Sequence, residues 1–254
     1  MAAVKNGEKS LSKVFDVIEA AGRHPEGVAA KTLATELGMP ESTLFRMAKF
    51  LVERGYLRRS AGRLTLGAAA LRLGALAQRQ NPLARVAHPA LAALSERTGE
   101  TVHLAELQGD HIVYVDKVEG SRSVRMASLV GSAGPLYCTG VGKVILAFLP
   151  EPKLVRLLET IRFEPFTPAT ITAAEALRRE LEKIRRAGYA VDDCEHERGV
   201  FCVAAPVFHA ADEVRAGISV SGSELYLRDH VDELAREVVA AACAISAGLG
   251  GSVC

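Results

Sequence analysis

The chain has 254 residues, 49% of them apolar and 24% charged, with no tryptophan and a net charge of +1. That length accommodates two domains that each bury a core, and the composition argues against disorder outside the ends. No tract approaches the roughly 20 strongly apolar residues of a membrane span, so no membrane partner is expected; the C-terminal VVAAACAISAGLGGSVC reads as the buried end of a helix.

Five cysteines (Cys138, Cys194, Cys202, Cys243, Cys254) are scattered without a Cys-x-x-Cys pair. Neither a disulfide framework nor a zinc ribbon is indicated, and reduced thiols are expected. MAAVKNGEKS lacks the basic start, apolar stretch and cleavage site of a secretory signal, which points to the cytoplasm. The small net charge hides an asymmetry: residues 1–66 carry eleven Lys/Arg against seven Asp/Glu, and the remainder carries twenty against twenty-three. A basic head on a slightly acidic body is compatible with nucleic-acid binding.

In chain order, SLSKVFDVIEAAGRH spaces Leu11, Val14, Phe15, Val17, Ile18 and Ala21 as a helix that Ser10 could cap. VAAKTLATELGMP predicts a second helix along Ala30, Leu33, Ala34 and Leu37, ended by Gly38 in a left-handed turn. The third, ESTLFRMAKFLVERGYL, places Leu44, Ala48, Leu51 and Val52 on one side and Ser42, Thr43, Arg46, Lys49 and Glu53 on the other. Two hydroxyls at the helix start, then a guanidinium and an ammonium, can reach base edges and phosphates in a major groove.

YLRRSAGRLTLG then predicts two short strands, with Arg58 to Arg63 as a basic turn and Leu64 and Leu66 alternating on the return. Helix, turn, helix and β-wing in this order predict a winged helix-turn-helix over residues 1–66. Its expected DNA contacts are Ser42, Thr43, Arg46 and Lys49 in the groove, with Arg58, Arg59 and Arg63 at phosphates or the minor groove. GAAALRLGALAQRQ, rich in Ala and Leu, predicts a linker helix over residues 67–81 that carries a dimer contact and ends at Asn81-Pro82.

Residues 82–254 mix elements. LARVAHPALAALSERTG predicts a helix; TVHLAELQGDHIVYVDKVEG and SVRMASLVG read as β-rich. Helices follow near Val141 to Leu149, near Pro152 to Glu159 and along Leu177, Leu181 and Ile184, then strands in GYAVDD, VFCVAAPVF and VRAGISVSG, and a final helix from about Ser223. The class is α+β.

Several stretches carry chemistry. In CTGVGKVILAF two glycines lead into an apolar helix, so the N–H groups of Gly140, Val141 and Gly142 could hold a carboxylate, although from these residues in isolation a tight turn without a ligand is the favoured reading. In DDCEHERGVFCVAAPV, Cys194, His196 and Cys202 form a soft donor set for zinc, although no second spaced pair supports it. Cys202 or Cys138 could serve a thiol-dependent enzyme, but nothing near either supplies a base. His103 and His111 read as surface or strand residues. The chain is read as no enzyme, and no cofactor or metal is expected.

The phrases MPESTLFRMAKFLVERGYLRR, RLTLGAAALRLGALA, GPLYCTGVGKVILAFLP, GYAVDDCEHERGVFCVAAPVF and AGISVSGS together resemble the IclR family of bacterial transcriptional regulators, from about Ser10 to Gly222. The chain departs from the family's usual pattern at Glu41, Tyr137 and Gly140, where Lys, His and Ala are typical. The resemblance implies a homodimer or homotetramer on an inverted-repeat DNA operator, and a C-terminal domain similar to GAF domains that binds a small effector to regulate a catabolic operon. It also favours the anion-site reading of Gly140, Val141 and Gly142, and carries over Ser123, Met126, Gly134, Asp192, Val200, Cys202, Ser219 and Ser221 as pocket positions. One recognition helix covers only a few base pairs, so a two-fold dimer on two half-sites is what specificity requires.

On their strands Val200 and Cys202 share a face, as do Ser219 and Ser221, giving hydroxyls, a thiol and a carboxylate to orient a polar metabolite. Asp192 would repel a ligand carboxylate unless one of the two is protonated, or unless it accepts from a hydroxyl or amine. A small hydroxy-, keto- or aromatic acid is the expected effector.

Overall fold

The computed structural model of the chain describes residues 6–122, 128–210 and 213–251. It divides into two compact units, residues 1–80 and 81–254.

In the N-terminal unit, helices α1 (Asn6–Gly22), α2 (Ala30–Glu36) and α3 (Glu41–Glu53) pack beside a three-stranded antiparallel sheet of β1 (Val28–Ala29), β2 (Leu57–Ser60) and β3 (Arg63–Leu66), in the order β1-β3-β2. Helix α1 starts at Asn6, so Ser10 lies inside it and is not its cap. Val17, Ala20 and Ala21 are buried and Val14 and Ile18 half-buried against them, whereas Leu11 and Phe15, at the edge of the expected face, are exposed. Leu33, Leu44 and Leu64 bring α2, α3 and β3 into one core and are fully buried, each contributing about 1.5–3 kcal/mol. Gly38 takes φ +59° in the turn before α3, the reversal its position in the sequence predicts.

The wing is tighter than expected. Arg58 and Arg59 lie within β2 and Arg63 within β3, leaving Ala61 and Gly62 alone at the turn, with φ of 49° and 76°. Two positive φ values match a type I′ hairpin, and only the second falls on glycine. Because a Cβ in the left-handed region costs about 1 kcal/mol, Ala61→Gly is expected to stabilise this unit by a few tenths to about 1 kcal/mol in urea unfolding. Helix α4 (Ala68–Gln80) buries only Ala69; Leu71, Leu73 and Leu76 are exposed.

The C-terminal unit opens with α5 (Pro82–Thr98). The Asn81 side chain accepts from the N–H groups of Leu83 and Ala84, at 2.9 and 3.2 Å, and Pro82 occupies the first helical position, so Asn81-Pro82 both separates α4 from α5 and caps the latter. The sheet has six antiparallel strands in the order β6-β5-β4-β9-β8-β7: β4 (Thr101–Gln108), β5 (His111–Val118), β6 (Ala133–Pro135), β7 (Ala190–Asp193), β8 (Val200–Phe208) and β9 (Val214–Ser223). Of the β-rich reading of SVRMASLVG, residues 123–127 lie outside the described residues and 128–131 form no strand; the short pairing comes later, in β6.

The period of two sorts the sheet residues onto two faces. Val102, Leu104, Phe201, Val203, Ile218 and Val220 pack on α5 and on α10 (Val231–Gly248). Ala105, Ile112, Ala190 and Ala204 face α6 (Gly140–Phe148) and α8 (Ala174–Ala187), with α7 (Glu151–Thr160) beside them. Gly217 lets α6 approach, because a Cβ there would stand 2.9 Å from Val144 Cγ2. The final helix expected from Ser223 is two, the short α9 (Glu224–Leu227) and α10, joined by a 3-10 turn. Cys138, Cys194 and Cys202 carry free thiols; Cys243 is disulfide-bonded, which departs from the expectation that all five stay reduced.

Candidate functional site

Along α3 the apolar side chains Leu44, Met47, Ala48 and Leu51 are buried, and Ser42, Arg46 and Lys49 are exposed while Thr43 is half-buried. Arg58 and Arg59 stand exposed on β2. Arg63 is exposed as a residue, but its guanidinium donates to the Gly27 carbonyl at 2.7 Å, which ties β3 to the turn before β1. Phe45 and Phe50, which the helical-wheel reading left unassigned, are exposed on α3; Arg59 lies over the first ring and Arg54 over the second, at 5.9 and 5.3 Å. Glu41 stands in the first turn with its carboxylate 3.9 Å from Lys31.

In the C-terminal unit the sheet face that carries α6 leaves a cavity of about 240 Å³ at the N-terminal turn of that helix. Strand register explains who meets there. Asp192 pairs with Cys202, Cys202 with Ser221, and Ser219 with His103, so adjacent strands deliver a carboxyl, a thiol, two hydroxyls and an imidazole to one side. Gly140, Val141, Asp192, Val200, Cys202, Ser219 and Ser221 line the cavity as the sequence reading expects.

Two expected positions do not line it. Gly142 is buried in α6, its N–H already accepted by Thr139 Oγ1 at 3.1 Å, because Thr139 caps the helix. The N–H groups of the first turn that remain without an intrahelical partner are those of Gly140 and Val141. Gly134 lies on β6, where a Cβ would meet Ile112 and Tyr114. Ser123 and Met126 fall outside the described residues.

His103, Tyr114, Thr139 and His196 join the lining unannounced. His103 is a strand residue, as read, but it is buried and not at the surface. Its Nε2 lies 2.7 Å from Ser128 Oγ and its Nδ1 3.3 Å from Ser221 Oγ, and Ser219 Oγ follows at 3.4 Å. Burial, with Lys117 nearby, pulls its pKa down to about 3, so one ring nitrogen donates and the other accepts. Its ring packs against Tyr114 at 5.3 Å, and burial pushes the Tyr114 hydroxyl well above its ordinary pKa, keeping it a donor.

Beneath the cavity floor sits a fully buried lysine. Lys143, on the second turn of α6, donates to the Val191 carbonyl at 2.6 Å and forms an ion pair with Glu195, with Glu180 at 3.9 Å. The Thr170 hydroxyl donates to the Glu195 carbonyl at 2.6 Å, that of Thr167 to Cys194 at 2.7 Å. The Glu195 N–H donates to Asp192 Oδ1 at 2.8 Å. Asp192 is buried, and desolvation pushes its pKa up to about 7 against the pull of Lys143. Tyr137, which stands where the family usually has histidine, clamps the neighbouring loop by donating to the Glu164 carbonyl at 2.8 Å and accepting from its N–H at 2.7 Å.

The donor set Cys194, His196 and Cys202 does not gather. Cys194, held at φ 58°, donates from Sγ to Glu224 Oε2; the His196 ring packs on Phe166 at 4.9 Å; Cys202 faces the cavity. Asp193, Cys194 and Glu224 do approach within 4.8 Å, but both carboxylates already accept from Arg228, at 2.5 and 3.0 Å. Burial raises the thiol pKa of Cys138, Cys194 and Cys202 alike, which suppresses the thiolate that a nucleophile needs.

Comparison with known proteins is consistent along the chain. Residues 10–61 match the IclR helix-turn-helix domain and residues 75–247 the family described as bacterial transcriptional regulator IclR C-terminal. The HTH-type transcriptional regulator KdgR of Escherichia coli is 34% identical over 244 residues, covering 95% of this chain and 92% of that protein. The transcriptional repressor IclR of the same organism is 32% identical, covering 96% and 90%. Among solved structures, the Thermotoga maritima IclR is 36% identical with a TM-score of 0.76, covering 95% of this chain and 99% of that one. An IclR homolog from Microbacterium hydrocarbonoxydans complexed with 4-hydroxybenzoate is 25% identical with a TM-score of 0.80, covering 94% and 98%. With a helix-turn-helix head and a matched C-terminal domain, the chain belongs to the IclR family of bacterial transcriptional regulators, which are DNA-binding proteins and not enzymes.

Proposed function

We propose that this regulator senses a small hydroxy-, keto- or aromatic acid in the cavity at the start of α6 and controls a catabolic operon. The observation that carries the reading is the lining itself: first-turn N–H groups of Gly140 and Val141 with the hydroxyls of Ser219, Ser221 and Tyr114. A volume of about 240 Å³, below the roughly 300 Å³ at which drug-sized sites begin, restricts the ligand to a small metabolite. A homologue that holds 4-hydroxybenzoate supports the same class.

On the DNA side, Ser42, Thr43, Arg46 and Lys49 serve groove contacts and Arg58 and Arg59 serve phosphates. Arg63 contributes chiefly by holding the wing, given its bond to Gly27. Residues 1–66 form the DNA-binding domain, residues 67–81 a linker that also carries a dimer contact through the exposed leucines of α4, and residues 82–254 the effector domain. The assembly is a cytoplasmic homodimer or tetramer on an inverted repeat.

Two measurements test this reading. A thermal-shift screen against small organic acids should raise Tm for at least one of them in proportion to concentration over Kd; no shift across the class removes the acid-sensing assignment. Arg46→Ala should cost about 1–3 kcal/mol of discrimination at one operator base pair, whereas Arg59→Ala should weaken binding to all duplexes and reduce the salt slope. Equal losses on operator and random DNA for both variants would defeat the assignment of α3.

A further inference from the structure

The charges packed around Lys143 do not cancel. Lys143 is fully enclosed, and two buried carboxyls, Asp192 and Glu195, share its vicinity; Glu180, the third, is partly exposed and has Lys183 at 3.0 Å. Glu195 takes the direct ion pair, and its second oxygen is buried without a hydrogen-bond partner among the described residues. One buried ammonium against two buried carboxyls leaves one negative charge uncompensated, and the carboxyl that carries it, Asp192, lines the cavity.

On the other packed elements, Lys117 of β5 stands near His103 but outside the cavity lining, where it donates to the Ser128 carbonyl at 2.8 Å and pairs with Glu119 at 2.8 Å. From β4 the cavity receives His103, from β5 Tyr114, from β8 Cys202, and from the loop after β7 His196 and Glu197; Cys138 lies behind, before α6. Burial holds both histidines below their ordinary pKa, and holds the tyrosine and the thiols in their protonated form. Among the described residues the cavity lining has no lysine or arginine. Among the described residues, a carboxylate bound at Gly140 and Val141 therefore meets Asp192 across a cavity of about 240 Å³ with no lining cation between them.

We propose that the cavity captures its acid together with a proton, which Asp192 retains between the Lys143–Glu195 pair and the bound carboxylate. This rests on the acid-sensing reading above and adds its regulation: the sensor answers to acid and pH jointly. The bookkeeping is simple, since the anion and one proton enter and nothing leaves. Asp192, already pushed up to about 7, is raised further by the ligand's charge. Acid affinity is then flat below about pH 7 and falls about tenfold for each pH unit above it, until the raised pKa is reached.

The test is isothermal titration of the full-length protein with acids from the thermal-shift panel, beginning with 4-hydroxybenzoate. Each titration is run in two buffers of different ionisation enthalpy at pH 8 and again at pH 5.5. Close to one proton should be taken up per acid bound at pH 8 and close to none at pH 5.5. Asp192→Asn, which copies the protonated side chain, should abolish the uptake and bind the acid about tenfold more tightly than the wild type at pH 8. Acid binding without proton uptake at pH 8 would overturn this inference and leave acid sensing intact. Uptake that persists in Asp192→Asn would overturn it too, by placing the proton elsewhere. Should no acid of the panel bind the wild type, both readings fall. The wild-type proton count decides the matter even if the variant fails to fold.

Discussion

Lys143→Met is expected to destabilise the C-terminal unit by about 3–5 kcal/mol, read as a drop in the urea midpoint at pH 7. Methionine fills nearly the same space, so packing is not what is lost. The variant leaves Glu195 buried with no counter-charge and strips the Val191 carbonyl of its donor. Those two acceptors belong to β7 and to the loop after it, and α6 carries the donor, so one ammonium ties the cavity floor to two of its walls. Adding Glu195→Gln to the methionine variant should recover part of the loss, because a neutral amide costs less to bury than an unpaired carboxylate. Equal stability of the single and double variants would mean that the pair is not coupled.

Asp192→Asn is expected to act in the opposite direction. A carboxyl whose folded pKa is raised contributes stability that is complete below its unfolded pKa, near 3.8, and is lost as pH rises through about 7. The wild type therefore surrenders on the order of 2–4 kcal/mol between pH 4 and pH 8 through this one group. Asparagine keeps an oxygen for the Glu195 N–H and carries no charge, so the variant should be more stable than the wild type at pH 8 and no more stable at pH 4. Parallel stability curves would show that Asp192 ionises without penalty. A stabilising change at a cavity residue marks a group retained for binding and not for the fold.

Much of this was legible in the sequence. Long periodic segments announced themselves: the apolar stripe of α3, the Leu177, Leu181 and Ile184 row of α8, and the alternation that sends Cys202, Ser219 and Ser221 to one face. What failed to show was set by pairing between distant segments. Strand β1 has two residues and no periodicity of its own, and exists only because β3 offers it an edge. His103 reaches the cavity because β4 registers it opposite Ser219, which no local pattern encodes. The wing turn was drawn too wide because the basic run Arg58-Arg59 looks like loop, whereas positive φ at Ala61 and Gly62 confines the reversal to two residues. Lys143 did leave a trace, as the one charge inside the apolar run GVGKVILAF, and a charge so placed demands a buried partner. That the partner is Glu195, some fifty positions on, depends on the packing of α6 against β7.

Effector and operator must act on each other if the two units form one switch, and thermodynamic reciprocity makes that measurable in a single quantity. The acid found in the thermal-shift screen is titrated into the full-length protein alone, then into protein saturated with its selected operator duplex. A change of about fivefold or more in acid affinity, matched by the same factor in operator affinity when the acid is present, is the predicted result. Identical acid affinity with and without the duplex would contradict the account at its centre, since a cavity that does not register DNA cannot regulate its binding.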